Sequence, residues 1–260
     1  MAAILQSYLV AAAAVFGYMT VWYVIALVRK RNDLADTAWG LGFIMIGVLA
    51  VLAQDPISSR LSLVGVLVLA WGVRLAMHVY SRNRGKAEDY RYAQWRKDWG
   101  KWFLIRTYLQ VFLLQGLFML LIAASIVVVG ADGGGPLGWL DALGVAVWLL
   151  GFVFESVGDA QLKAFVSDPT SRGKILDTGL WRYTRHPNYF GEVTQWWGVW
   201  LIALSAPHGW VAVVSPLTIT LLLLFVSGVP MLEKKMAENP GWAEYAAKTS
   251  VFVPLPPKKG

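Results

Sequence analysis

Long apolar runs separated by short polar segments dominate the chain. The hydrocarbon core of a bilayer is about 30 Å thick, and about 20 apolar residues cross it as a helix. Runs near that length occur at residues 4–28, 38–53, 60–80, 102–130, 138–163, 188–206 and 209–230. The pattern therefore predicts an all-α, polytopic integral membrane protein with seven transmembrane helices and a polar tail over residues 231–260.

The first run and the absence of linkers bear on how the chain is organised. The run from about Ile4 to Val28 is longer than the core of a signal peptide and ends in "RKR", not in a small-residue cleavage site. We expect it to be retained as a first span. No internal repeat, low-complexity tract or linker divides the sequence, so we predict a single domain over residues 1–260.

Composition agrees with a membrane protein. Hydrophobic residues make up 57% of the chain, charged residues only 15%, and the mean hydropathy is +0.53. These values are too apolar for an ordinary soluble domain of this length. The chain has no cysteine and three scattered histidines, a composition that excludes disulfides and argues against a metal site.

The distribution of basic residues predicts an orientation. With the N-terminus outside, the segments on the cytoplasmic side hold 20 of the 23 lysines and arginines. Because Lys and Arg accumulate in cytoplasmic loops, we predict an outside N-terminus and a cytoplasmic C-terminus. The net charge of +7 then indicates contact with anionic lipid headgroups and not with nucleic acid.

A charged stripe lies near the end of the fifth predicted span. In "FESVGDAQLKAF", Glu155, Asp159 and Lys163 are four residues apart and share one helix face. One interpretation is an interfacial helix end where Lys163 reaches toward the headgroups. The other is a ligand site, because two carboxylates one turn apart repel each other unless they have a partner.

The third predicted span also carries polar groups. Arg74 and His78 share one face, and Arg74 needs a counter-ion that Glu155 or Asp36 could supply. The mixed-charge segment that follows, residues 86–97, predicts either an amphipathic interfacial helix or a cover over a polar cofactor.

A further polar cluster stands where a loop enters the sixth span. From Gly179 the chain reads "GLWRYTRHPNYFGEVTQWWGVW". Pro187 suits the first turn of a helix. The helix N-terminus and Arg185 together predict an anion site, while Glu192 and Gln195 project from the first turns.

These residues carry a resemblance to a known family. Arg185, His186, Pro187, Asn188, Tyr189, Gly191 and Glu192 match, together with the tail "EKKMAENPGWAEYAAKTSVFVPLPP". The chain resembles the bacterial DUF1295 membrane proteins, which are similar to steroid 5-alpha-reductases. Their superfamily includes sterol C14 reductases and isoprenylcysteine carboxyl methyltransferases. The resemblance implies a multi-pass protein of the bacterial inner membrane that binds NADPH in a cytoplasm-facing cavity and takes a lipophilic substrate from the bilayer.

The resemblance also implies site residues. The predicted cofactor contacts are Glu155, Asp159, Lys163, Arg172, Arg185, His186, Asn188, Tyr189, Glu192, Glu233 and Tyr245. If hydride adds to a conjugated C=C bond, an enolate-like charge develops and needs a proton. Tyr90, Tyr80 and His78 are the candidate donors. We predict an NADPH-dependent reductase of a sterol-like or isoprenoid-like substrate, without a metal; the sequence does not set the oligomeric state.

Two alternatives stay open. The Gln-Glu pair of steroid reductases is absent from the second span, which reads "AWGLGF". One alternative is an S-adenosylmethionine-dependent methyltransferase of the isoprenylcysteine type, since Glu233 precedes a tyrosine and a proline-rich end. Lys234 breaks the Glu-Glu pair expected there, and Asp159 favours the reductases. The other alternative is a non-catalytic lipid-binding membrane protein.

Overall fold

A computed structural model describes residues 1–86, 88 and 90–258, and for Tyr90 and Arg91 it describes the backbone alone. The described residues form helices and turns, with one isolated bridge between Thr184 and Ser250, so the predicted all-α class is confirmed. The α-helices are α1 Ala2–Arg29, α2 Leu34–Ala53, α3 Ser59–Asn83, α4 Tyr90–Trp99, α5 Phe103–Thr107, α6 Leu114–Ile122, α7 Ala124–Asp132, α8 Trp139–Ser167, α9 Pro187–Ala203, α10 Val214–Leu221, α11 Val229–Met236 and α12 Trp242–Lys248.

Six helical stretches of the described chain are long and apolar enough to cross a membrane. They are Ala2–Arg29, Leu34–Ala53, Ser59–Asn83, Tyr92–Ile122, Trp139–Ser167 and Gly209–Met236. Large apolar side chains such as Leu9 and Val28 are exposed on α1, as expected for lipid-facing positions. The protein is therefore a multi-pass integral membrane protein by these criteria.

The sixth predicted span, 188–206, corresponds to α9. This helix has 17 residues, or about 26 Å at the rise of an α-helix, which is short for a bilayer crossing. The count of seven spans and the orientation of the termini stay predictions.

The run predicted as one span over 102–130 is interrupted. A π-helical segment, Tyr108–Leu113, leads into α6, and the chain leaves helical geometry at Ala123 before α7 begins. The Ile122 carbonyl accepts a hydrogen bond from the Ser215 hydroxyl, which supplies a partner at the break. No proline marks this position, and the apolar stretch over residues 117–124 gives no sign of it.

The chain divides into two compact units. Unit 1 comprises Met1–Asp141 and Ile202–Ser215, and unit 2 comprises Ala142–Leu201 and Pro216–Gly260. The prediction of a single domain stays a prediction.

In unit 1, α2 and α3 pack closely. A Cβ atom at Gly40 would lie 2.8 Å from the carbonyl oxygen of Gly72, so only glycine permits this approach of the two backbones. Beside it, the rings of Phe43 and Trp71 meet edge to face at 5.4 Å, and both side chains are fully buried.

A buried ion pair lies at the start of α3. Arg60 donates from Nε to Asp141 Oδ1 at 2.8 Å and from Nη2 to Asp141 Oδ2 at 3.2 Å. Its remaining N–H groups donate to the carbonyls of Gly133, Gly134 and Pro136. The arginine therefore fixes the loop between α7 and α8, and its burial explains why one basic residue stands on the predicted outer side.

Candidate functional site

Glycines bring α8 and α9 of unit 2 into backbone contact. They recur every seven residues, at Gly144, Gly151 and Gly158 on α8 and at Gly191 and Gly198 on α9. A Cβ atom at Gly191 would lie 2.4 Å from the Glu155 backbone nitrogen, and one at Gly198 would lie 2.7 Å from the Gly144 carbonyl oxygen. Any larger residue there would push the helices apart.

This close packing assembles four polar side chains, which we call the acid–amide cluster: Glu155, Asp159, Asn188 and Gln195. Gln195 Nε2 donates to Glu155 Oε2 at 2.5 Å, and Asn188 Nδ2 donates to Asp159 Oδ1 at 3.1 Å. Glu155 is 3% exposed, Asp159 6% and Gln195 2%. Burying two carboxylates is costly unless they are hydrogen-bonded, so the amides offset part of that cost.

The helix pair also contains buried polar atoms that lack a hydrogen-bond partner among the described residues. They are Gln195 Oε1, Ser156 Oγ and Trp200 Nε1. Such atoms are rare in folded proteins and point to water or a ligand. Gln195 Oε1 belongs to the acid–amide cluster itself, so the cluster has acceptor capacity that the described residues do not use.

Arg185, which precedes α9, is held on several sides. Its Nε and Nη2 donate to Glu233 Oε1 and Oε2 at 2.7 and 3.0 Å, in the bidentate geometry that guanidinium groups favour. Its Nη1 donates to the carbonyls of Ala246 and Thr249. The guanidinium also lies over the ring of Trp242, at 5.7 Å. These contacts give Arg185 a role in holding the tail.

His186 shares the same carboxylate. Its Nε2 lies 3.0 Å from Glu233 Oε1, and its ring stacks on Tyr189 at 5.6 Å. Burial lowers the pKa of His186, and the nearby Arg185 lowers it further, against the opposing effect of Glu233. The neutral imidazole is therefore favoured in this position.

The tail completes the region by docking on the segment before α9. Ser250 O accepts from the Arg185 backbone N–H at 2.9 Å, and the Tyr245 hydroxyl donates to Trp181 O at 2.6 Å. Trp181 Nε1 in turn donates to the carbonyl of Gly158, next to Asp159. Burial raises the pKa of Tyr245, so this hydroxyl stays protonated as a donor.

A second polar feature of unit 2 lies beside Tyr245. It is a cavity of about 450 Å³ whose charged lining residues are Lys174, Asp177, Arg182, Glu244 and Lys248. Three cations face two carboxylates here, and one cation, Lys248, is paired with Glu244. We call this cavity the basic cavity.

The structure brings together most of the predicted cofactor residues. Asp159 and Asn188 contact each other, Arg185 and His186 converge on Glu233, Tyr245 anchors the tail, and Glu192 is buried on α9. Lys163 and Arg172 are exposed. Their assignment as cofactor contacts stays a prediction for all of them.

The predicted proton donors belong to unit 1. His78 is half-buried on α3, and Tyr80 is 57% exposed and lines a cavity at the end of that helix. Tyr90 begins α4, and its side chain lies outside the described part of the chain. Their catalytic role stays a prediction.

Gln195 is absent from the predicted cofactor contacts, although the sequence carries a signal for it. Asn188, Glu192 and Gln195 are spaced by four and then three residues, so they share a helix face. The seven-residue glycine spacing on both helices was a second signal, because it predicts a close helix pair.

Comparison with known proteins places the chain in a family. The model of the family described as "Protein of unknown function (DUF1295)" matches residues 22–249. The chain therefore belongs to this family, and the resemblance inferred from the motif is confirmed. An uncharacterized protein of Schizosaccharomyces pombe is 26% identical over 251 residues, covering 87% of this chain and 72% of the relative. No solved structure matches the chain with significant similarity.

Proposed function

We propose that this member of the DUF1295 family is a membrane-embedded, NADPH-dependent reductase of a conjugated C=C bond in a lipophilic, sterol-like or isoprenoid-like substrate. The acid–amide cluster is the observation that supports it. Buried acceptors with an orphaned amide oxygen, Gln195 Oε1, fit ligand groups that donate hydrogen bonds. The ribose hydroxyls and the carboxamide of NADPH are such groups.

The protein's residues divide between the two ends of such a cofactor. Asp159, Glu155 and the amides of the cluster would accept hydrogen bonds from its hydroxyl and amide groups. The phosphates need cations, and Lys174 and Arg182 of the basic cavity would supply them. Trp181 lies between the two features, since it contacts Gly158 through Nε1 and Tyr245 through its carbonyl.

NADPH would supply the hydride for the reduction. The second hydrogen of the saturated bond arrives as a proton, for which His78, Tyr80 and Tyr90 are the proposed donors. A donor of this kind is needed because the charge that develops on the substrate must be neutralised in an environment of low dielectric constant.

The proposal is tested by titrating NADPH against the purified full-length protein in detergent, with thermal shift and tryptophan fluorescence as readouts. Asp159→Asn removes one buried carboxylate, and Asp168→Asn is the matched control because Asp168 is exposed after α8. We expect NADPH to stabilise wild type and Asp168→Asn alike, and to bind Asp159→Asn about tenfold more weakly. No response to NADPH in wild type would contradict the proposal.

One observation favours a second candidate, a methyltransferase that uses S-adenosylmethionine. The acid–amide cluster contains two buried carboxylates, Glu155 and Asp159, and carboxylates attract a positively charged sulfonium group. Titrating S-adenosylmethionine against the same samples distinguishes the two, because stabilisation by it and not by NADPH would replace the reductase proposal. Cofactor binding without turnover of any lipid enone would favour the non-catalytic lipid-binding alternative.

A further inference from the structure

A cavity in unit 1 contains an arrangement of cations that the proposed reaction does not use. It has a volume of about 440 Å³ and lies where the end of α1, the start of α2 and the end of α3 meet. Arg29, Arg31 and Arg84 line it, together with Asp33, Trp22 and Tyr80. We call it the arginine pocket.

The internal contacts of the arginine pocket leave two cations available. Arg31 is held by Asp33, with Nε to Oδ1 at 3.1 Å and Nη2 to Oδ2 at 2.6 Å, and it also donates to the carbonyl of Lys86. Among the residues that the structure describes, the side chains of Arg29 and Arg84 make no hydrogen bond or ion pair, and both are exposed. The pocket therefore carries an excess of positive charge.

The rest of the lining is apolar and aromatic. Trp22 is half-buried, Tyr80 is exposed, and Ile25 and Leu34 complete the wall next to the arginines. Trp and Tyr favour the headgroup level of a bilayer, where an aromatic ring meets both hydrocarbon and water. A fully water-borne anion would leave this apolar wall unused, whereas the glycerol and first acyl carbons of a lipid would cover it.

The position of the pocket along the helices agrees with this chemistry. It lies at the end of α1 and α3 where the arginines and lysines of the chain concentrate, which is the predicted cytoplasmic side. Anionic lipids are abundant at that surface, and basic pockets between transmembrane helices bind their headgroups. The amino end of α2 adds the positive end of a 20-residue helix dipole.

We propose that the arginine pocket binds the phosphate of an anionic phospholipid, with Arg29 and Arg84 contacting the phosphate and Trp22 and Ile25 contacting the start of an acyl chain. The arginine pocket shares no residue with the acid–amide cluster, and this proposal does not depend on the reductase proposal.

The test measures lipid binding to the full-length protein by native mass spectrometry and by thermal shift, with phosphatidylglycerol and phosphatidylcholine as the two lipids. The variant is Arg29→Gln combined with Arg84→Gln. The matched control is Lys30→Gln combined with Arg82→Gln, which removes the same charge from the same helix ends but from residues outside the pocket. Inorganic phosphate is the third ligand.

We expect wild type and the control to retain one tightly bound phosphatidylglycerol and to bind it at least about tenfold more tightly than the pocket variant. Phosphatidylcholine and inorganic phosphate should stabilise none of the proteins in this way. If the pocket variant and the control lost the same amount of phosphatidylglycerol binding, general surface charge would explain the binding and the proposal would be overturned. Stabilisation by inorganic phosphate equal to that by the lipid would assign the pocket to a free anion, and it would also overturn the proposal.

Discussion

Arg60 in unit 1 and Arg185 in unit 2 use their guanidinium groups in the same way. Each donates from Nε and Nη2 to both oxygens of one carboxylate, and each donates from Nη1 to two backbone carbonyls. Arg60 ties the start of α3 to the loop before α8 and to Asp141 in the first turn of α8. Arg185 ties the segment before α9 to α11 and to the tail. The rigid fork of arginine suits this task, which lysine could not perform with the same geometry.

The two pairs differ in the environment of the carboxylate. The Asp141 side chain is 2% exposed, whereas the Glu233 side chain is 24% exposed and also contacts His186. Losing one partner of a fully buried pair leaves an uncompensated charge, while a partly exposed carboxylate can be hydrated. The same bidentate geometry therefore occurs in two settings. At Arg60 it forms a fully buried structural ion pair, and at Arg185 it forms a partly exposed ion pair whose carboxylate also contacts a titratable histidine.

The largest expected effect is that of Arg60→Gln. It strands Asp141 in a buried site and frees the carbonyls of the loop between α7 and α8, so we expect a loss of about 3 kcal/mol or more in unfolding free energy. Thermal and chemical unfolding in detergent measure it, and Arg106→Gln, at an exposed position, is the control. A loss below that of the control would show that the pair is not a clamp.

Arg185→Gln should have a smaller effect, of about 2 kcal/mol, because water can hydrate the partly exposed Glu233. The tail should also loosen, since the Ala246 and Thr249 carbonyls lose their donor. Limited proteolysis of residues 242–258 reports on the tail separately from global unfolding. If Arg60→Gln and Arg185→Gln destabilised the protein equally, the exposure of the carboxylate partner would not determine the cost of losing the arginine.

Tyr245→Phe should cost about 1 kcal/mol, because it removes the hydroxyl that donates to Trp181 O and keeps the ring. Tyr183→Phe is the control, since Tyr183 is 43% exposed. Unfolding and tail proteolysis are measured as for Arg185→Gln. A tail unaffected by Tyr245→Phe would mean that this hydroxyl does not help to hold it.

The smallest expected effect is a pH dependence of stability that is caused by His186, which contacts Glu233. Because burial lowers the pKa of His186, the unfolded state binds a proton more readily than the folded state, and stability rises with pH in that window. Stability should be complete above about pH 6.5, the ordinary value for histidine, and should decline as the pH falls below it. His186→Gln should flatten the profile measured by thermal shift from pH 5 to pH 8. An unchanged slope in that variant would assign the dependence to other groups.

The sequence predicted the helical class and most helix positions because apolar runs of about 20 residues match the thickness of a bilayer's hydrocarbon core. It did not predict the break at Ala123, since the apolar stretch over residues 117–124 has no proline or capping residue to mark a change in helical geometry. The Arg60–Asp141 pair was also missed, because its partners lie 81 residues apart and only the folded loop brings them together.

In the candidate site, the motif identified Asn188 and Asp159 through family resemblance, and the structure adds that they contact each other. The pairing of Arg185 with Glu233 was not predicted, although both residues were named. Sequence patterns identify residue types at helix ends but not which side chains satisfy one another. The contact between Asn188 and Asp159 depends on how closely the glycines let α8 and α9 approach.

The contacts of Arg185 also bear on the order in which the protein is made. Its carboxylate partner, Glu233, is 48 residues further along the chain, and the carbonyls of Ala246 and Thr249 are 61 and 64 residues further. The ribosome synthesises Arg185 well before any of them. The contacts that Arg185 makes in the folded protein can therefore form only after the chain has been synthesised as far as Thr249.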